Sequence, residues 1–216
     1  MIHDLSKIPS LANQFLLELR DKEIQQDRLR FRTNLNRLGK IAAYEISKVL
    51  KYNEVDVQTP LGTANIQVSN DSIVLCSILR AGLPLHFGLL EFFDHSENGF
   101  VSAYRKHHKD GTFDISLGYS TCPNLTDTTL IICDPMLATG ASIDKTINAL
   151  IDYGTPEKIH VVTVVSSKLG LDYINRLHPN VDIWTFGIDE ELTAKSFIVP
   201  GMGDAGDLAF GLKEQD

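Results

Sequence analysis

In TLIICDPMLATGAS, residues 129–142, an apolar run ends at an acid, Asp134, and Pro135, then passes into small residues, Ala138-Thr139-Gly140-Ala141-Ser142. A strand that only filled a core would not need that ending. The residues after it, IDKTINALIDYG, have helical spacing. A helix N-terminus presents free backbone N–H groups and the positive end of the dipole, and small side chains let a phosphate reach them. Thr139 and Ser142 add hydroxyl donors, and Asp134 can hold sugar hydroxyls or a hydrated Mg2+. The same string can also simply start a helix. It lacks the Gly-Lys-Ser/Thr ending of an ATPase loop and is not GxGxxG, which argues against an ATPase or a dinucleotide enzyme.

Other residues are placed for anion chemistry. Arg80 directly follows the run SIVLCSIL, and Arg105 follows FVSAY. A lone arginine at a strand end is most often solvated, but its planar fork also binds phosphate oxygens in pairs. Ala81-Gly82 predicts a tight turn that turns backbone N–H groups toward an anion. Near the C-terminus, VPGMGDAGD holds three glycines and two acids in nine residues. It can be a loose turn, or a loop whose glycines allow close backbone approach to a flat ligand. His107-His108 lie in a polar stretch and read as solvated rather than as metal ligands. Asp152 and Asp172 read as solvated helix-surface charges, and no Ser-His-Asp arrangement is evident.

The elements that must position these residues alternate. Strand-like runs fall at 72–79, 100–104, 129–134, 159–165 and 181–186, with helical pieces LPLHFGLLEFF, SIDKTINALIDYG and LGLDYINRLH between several of them. Near-continuous apolar strands alternating with helices predict a parallel α/β sheet covered on both faces. In such sheets ligands bind at the carboxyl ends of strands. Upstream, Ser10 can cap a helix SLANQFLLELRD, a longer helical pattern runs through RLRFRTNLNRLGKIAAYEISKVL, and VDVQTPLGTANIQV reads as a hairpin. The stretch RKHHKDGTFDISLGYSTCPNL reads as a long irregular loop. The expectation is one domain, 1–216: a helical and hairpin extension over 1–70, the core sheet over 71–187 and a hood loop over 188–216.

The 216 residues, 43% hydrophobic and 22% charged, suit one large α/β domain. The net charge of −8 argues against a general nucleic-acid binder. Cys76, Cys122 and Cys133 have no CxxC spacing and read as free thiols in a reducing compartment. MIHDLSKIPS has no signal-peptide core, and no apolar stretch approaches the ~20 residues of a membrane span. A cytoplasmic protein is expected.

Four motifs in order carry a resemblance. DPMLATGAS resembles the 5-phosphoribosyl-1-pyrophosphate (PRPP) loop of phosphoribosyltransferases, with Pro135 where most relatives have a second acid, as in the uracil-specific branch. SILRAGLP resembles that branch's pyrophosphate loop, AYRK its second arginine segment, and FIVPGMGDAGDLAFG its uracil loop. Weaker similarity runs through LRDKEI, FRTNLNRLGKIAAYE and TPLG, so nearly the whole chain resembles the uracil phosphoribosyltransferases. The resemblance implies a phosphoribosyltransferase-type sheet and the reaction of uracil with PRPP to give UMP and pyrophosphate, in pyrimidine salvage. It implies catalytic roles for Arg80, Arg105 and Asp204. PRPP would be held by Arg80, Arg105, Asp134, Pro135, Met136, Leu137, Ala138, Thr139, Gly140, Ala141, Ser142 and Asp204. Uracil would lie on the backbone of Ile198, Gly203 and Ala205, with Asp204 adjacent. A backbone-read site can reject cytosine, whose amino group and N3 would leave buried groups unpaired. Mg2+ would accompany PRPP, near Asp134 or Asp204, and a homodimer or higher homo-oligomer is implied. No nucleic acid or membrane partner is expected.

The resemblance breaks after Arg105, where KHHKDGTFDISLGYSTCPNLTD is basic and histidine-rich at first. The expectation there is a cover over the site made flexible by Gly111 and Gly118. Two competing readings remain: a transferase for another base, and a PRPP-fold regulator that binds RNA.

Overall fold

The computed structural model describes residues 1–107 and 113–213, with only the backbone at 105–107 and 113–114. In chain order its elements are β1 (Ile2–Asp4), α1 (Leu11–Arg20), α2 (Arg28–Ser47), β2 (Tyr52–Thr59), β3 (Gly62–Ser69), β4 (Ile73–Leu79), α3 (Leu83–Leu90), β5 (Glu97–His107), β6 (Phe113–Thr121), β7 (Thr129–Cys133), β8 (Met136–Leu137), α4 (Ala141–Leu150), β9 (Lys158–Thr163), β10 (Val165–Ser167), α5 (Lys168–Leu177), β11 (Asp182–Thr185), β12 (Ile188–Asp189), β13 (Glu191–Leu192), β14 (Ile198–Val199) and α6 (Ala205–Phe210).

A seven-stranded sheet runs β1-β11-β9-β7-β4-β5-β6. Every neighbouring pair is parallel except β5 and β6. Residues on β7 alternate between two cores. Ile131 and Cys133 join the core beneath α1, α2, α3 and α6; Leu130 and Ile132 join the one beneath α4 and α5. That alternation buries both faces and explains why the strand reads as a continuous apolar run. The chain leaves β4 through α3 toward β5, and leaves β7 through α4 toward β9 on the other side. The sheet order therefore switches between β4 and β7, and a crevice opens at their carboxyl ends.

The upstream helices form with the caps the sequence offers. The Ser10 hydroxyl accepts from the N–H of Ala12, and Asn13 accepts in return from the N–H of Ser10, the reciprocal pattern of a capping box. Asp27 caps α2 through the N–H of Arg30. Glu18 on α1 accepts from the Arg30 guanidinium at 2.6 and 2.7 Å and from Asn34 at 2.7 Å, which ties α1 to α2. The Arg30 hydrogen bond, then that of Asn34, holds the Glu18 carboxyl down at about 2.

Two features depart from the sequence reading. The sheet reaches outside 71–187, because Ile2–Asp4 pairs in parallel with β11 as an edge strand. Three residues carry too little periodicity to show as a strand. The stretch read as a long irregular loop instead contributes β6, antiparallel to β5 from Phe100↔Thr121 to His107↔Phe113. Its apolar residues at Phe113, Ile115, Leu117 and Tyr119 recur with a period of two, a strand signal hidden by intervening Ser, Gly and Asp. Gly118, taken as a flexible point, lies within β6, where an added Cβ would come 3.0 Å from Ser102 Oγ. Gly111 and His108 lie outside the described residues.

Candidate active site

The switch-point crevice is a cleft of about 1100 Å³. Its wall draws on β4 and the following turn (Arg80, Ala81), β5 (Ser102, Tyr104) and the end of β7 (Asp134). The 136–143 loop and two C-terminal segments, 194–197 and 204–206, complete it together with Lys213. The geometry thus brings together Arg80, Asp134, Met136, Leu137, Ala138, Thr139, Gly140, Ser142, Asp204 and Ala205 from the sequence-expected set.

The 138–142 loop is shaped from both ends. Pro135 is buried beneath it, and its carbonyl accepts from the N–H groups of Val164 and Val165 at 2.9 and 3.0 Å. β8 pairs with β10, and the Ser167 hydroxyl donates to the Ala138 carbonyl. Gly140 caps α4 with a φ of +86°, and no side chain caps that helix. A Cβ at Gly140 would meet Tyr173 Cδ1 at 2.8 Å. The loop therefore rests on α5; the Ala141 N–H donates to the Thr139 hydroxyl at 3.4 Å, and no side chain caps the N–H groups that follow it, which are left for a ligand.

Asp134 lies at the floor, its Oδ1 accepting from the N–H of Met136 at 3.3 Å. Burial, opposed in part by that N–H and reinforced by the charge on Asp204, pushes its carboxyl up to about 7. Asp204 behaves oppositely. Burial works to raise it, but the Lys213 ammonium at 2.9 Å and the N–H groups of Asp207 and Gly206 outweigh that and hold it below the usual range. Two acids facing one cleft are thus biased toward different protonation states.

Arg80 stands between β4 and α3, after a cis Leu79–Arg80 peptide. Its guanidinium bonds Asp207 at 2.9 Å and the Gly211 carbonyl at 3.3 Å, so the C-terminal segment holds it at the cleft mouth. The expected role of Gly82 changes. Its N–H donates to the Ile78 carbonyl at 2.9 Å and is not offered to an anion. A Cβ there would come 2.5 Å from the Cys133 carbonyl, so glycine serves the close packing of the turn against β7. Arg105 lies on β5 opposite Ile115, on the strand whose Ser102 and Tyr104 line the cleft; its side chain falls outside the described residues.

At the other end, β13 and β14 form a short antiparallel pair whose connecting loop overhangs the cleft with Ala194, Lys195, Ser196 and Phe197. The chain then turns through a cis Val199–Pro200 bond into Gly201, Met202, Gly203 and α6. Ala205 and Ala141 flank the cleft at the starts of α6 and α4, whereas Ile198 is buried in the core and Gly203 is exposed. Ser102, Tyr104, the 194–197 loop and Lys213 did not stand out in the sequence. Strands of two residues leave no period to read, although the alternation along β5 points Ser102 and Tyr104 to one face.

No three histidine, cysteine or acidic side chains converge as a metal cage among the described residues. Asp134 and Asp204 are the hard oxygen donors of this cleft.

Comparison with known proteins fits this geometry. The family model described as "Uracil phosphoribosyltransferase" matches residues 9–212. A uracil phosphoribosyltransferase of Porphyromonas gingivalis is 50% identical over 94% of this chain and 95% of its own. One from Methanothermobacter thermautotrophicus is 43% identical over 84% of this chain and 83% of its own. Among solved structures, the AQ2163 protein of Aquifex aeolicus superimposes with a TM-score of 0.86 at 30% identity, covering 98% of this chain and 99% of its own.

Proposed function

This chain belongs to the uracil phosphoribosyltransferase family, and from that premise we propose which of its residues transfer the 5-phosphoribosyl group of PRPP to uracil, giving UMP and pyrophosphate. The observation that carries the assignment is the meeting, at one switch point, of an uncapped helix N-terminus, a floor carboxyl and an arginine.

The 5-phosphate fits the 138–142 loop, where the open N–H groups of α4 and the hydroxyls of Thr139 and Ser142 face the cleft. Asp134 suits the ribose hydroxyls. Its raised protonation is relieved when hydroxyl donors or a cation arrive, because either favours the ionised form. Arg80 suits the pyrophosphate, exchanging its bonds to Asp207 and Gly211 for phosphate oxygens as the leaving group gains charge. Arg105 is proposed to assist from β5. Asp204, kept ionised beside Lys213, favours positive charge developing on the sugar. Ala205, Gly203 and Ile198 supply the backbone frame for uracil.

Mg2+ fits here as a companion of PRPP, since a hydrated Mg2+ binds through one or two carboxylates plus substrate phosphates. Asp134 and Asp204 would hold it, and it would neutralise phosphate charge. The described residues contain no helix long and apolar enough to cross a membrane. The three cysteines are free thiols, which supports residence in a reducing compartment such as the cytoplasm.

The hairpin β2–β3 stands exposed, with Val55, Val57, Ile66 and Val68 all open to solvent. Apolar exposure on that scale supports a homodimer in which the hairpin is covered by a second copy. A monomer mass in light scattering at micromolar concentration would remove the dimer.

The test of function is product formation from PRPP and Mg2+ with uracil, cytosine, orotate and hypoxanthine. UMP from uracil alone is expected. Turnover of a different base would overturn the base assignment, and PRPP binding without turnover would leave a regulator.

A further inference from the structure

We propose that Arg20 and Asp189 are positioning residues for the base, forming a clamp that fixes the base-reading loop through the two polar backbone groups of Gly201. The inference rests on the reading that the 198–205 loop receives uracil.

Arg20 ends α1, and Asp189 ends β12, 169 residues further along the chain. They pair side by side: Arg20 Nη1 to Asp189 Oδ2 at 2.8 Å and Nη2 to Oδ1 at 2.9 Å. Nη1 also donates to the Gly201 carbonyl at 2.9 Å, and Asp189 Oδ2 accepts from the Gly201 N–H at 2.9 Å. One ion pair thus takes both polar backbone groups of a single buried residue. Asp189 is 8% exposed and Arg20 24%, so neither pairs freely with water.

Gly201 is the point where the loop is least free to vary. Its φ is +60°, and a Cβ there would lie 2.2 Å from the Ile198 carbonyl. Met202, 2% exposed, follows it, and then Gly203 and Asp204, the cap of α6. The direction of the Gly201 backbone therefore sets where Asp204 and Ala205 arrive at the cleft. Without the clamp, a buried N–H and C=O lose their partners, and the loop must shift to satisfy them.

A second observation points the same way. A Cβ on Gly187 would come 2.8 Å from Arg20 Nη2. Its φ is not in the left-handed region, so what glycine provides there is room for the guanidinium. Asp189 is itself steadied, since β12 pairs with β10 in register Ser167↔Asp189. Arg20 and Asp189 do not line the cleft, so they act on substrate through the loop. The phosphate loop's own supports, β8 on β10 and Ser167 on Ala138, involve neither side chain.

The expected signature is a split between substrates. R20M should raise the KM for uracil by on the order of tenfold. Its Kd for PRPP with Mg2+, measured by calorimetry, should move by less than about twofold, because no phosphate contact is touched. R20K, which keeps the charge but loses the fork, should fall between R20M and the unaltered enzyme. G187A, which crowds the guanidinium without removing it, should reproduce the uracil effect in the same direction. An unchanged uracil KM in folded R20M overturns the clamp, and so does a PRPP Kd that rises in step with it, since that marks a general structural role. If R20M does not fold, G187A decides by the same two readouts. Uracil turnover by the unaltered enzyme, run in parallel, separates the two levels: its absence overturns the base reading and the clamp with it, whereas its presence with unmoved KM values removes the clamp alone.

Discussion

The proposed phosphate loop, 138–142, and the proposed base loop, 198–205, meet at one cleft, yet they are held by different means. The first is built from neighbours in sequence: β7, a proline, five small residues and α4, supported by the next crossover through Ser167, Gly170 and Tyr173. The second is built from strangers in sequence, with α1 and β12 reaching Gly201 from 181 and 12 residues away. A turn that must offer N–H groups to a phosphate needs little more than its own backbone. A loop that must hold hydrogen-bonding groups in register with a flat base needs an outside frame, because Gly201 and Gly203, both at positive φ, leave its backbone free to turn.

The comparison breaks first at Gly140. Gly140→Val places a branched residue at a φ of +86°, with its Cβ 2.8 Å from Tyr173. The left-handed backbone costs about 1–2 kcal/mol and the overpacking about 1–3 kcal/mol more. Since both act where the 5-phosphate is proposed to sit, kcat/KM for PRPP should fall by roughly two orders of magnitude. Calorimetric titration with PRPP and Mg2+ checks the cause: binding should weaken by a similar factor. If PRPP binds Gly140→Val as before, the loop is not the phosphate seat, and the contrast with the clamped base loop disappears.

The same contrast explains what could be read from the sequence. Strand, acid, small residues and helix are contiguous, so their geometry followed from local rules, and the core strands at 73–79 and 129–133 stood where their apolar runs put them. Arg80 could be placed because it directly follows its strand. The bonds of Arg80 to Asp207 and Gly211 were not readable, nor was the approach of Lys213 to Asp204, because spacing does not encode which distant segment folds back over the mouth. Nothing in the spacing of the sequence singles out Arg20. Only the fold shows that its partners are Asp189 and Gly201. β1 and β12 to β14 were hidden for a simpler reason: with two or three residues each, they lack a period.

A smaller effect sharpens the comparison at the level of charge. Asp134 on the phosphate side is pushed up to about 7, whereas Asp204 beside the base loop is held below its ordinary value by Lys213 and backbone N–H groups despite burial. In the unfolded chain Asp134 titrates near 3.9. Between about pH 4 and pH 7 the folded state therefore carries a proton that the unfolded state has lost, so this group's contribution to stability falls as pH rises through that window and levels off above it. Asp134→Asn cannot ionise and escapes the loss. Urea unfolding should find it about 1–3 kcal/mol more stable than the unaltered protein at pH 8, and ahead by only about a third of that at pH 5. Its affinity for PRPP should fall at pH 8, where the unaltered protein has a carboxylate to offer, and much less at pH 5, where it does not. A variant more stable at high pH and poorer at binding would show that the acid is kept for the substrate at a cost to the fold. Equal stability at both pH values would mean that water or a neighbour already relieves the charge, and that the floor of the cleft is no drier than its mouth.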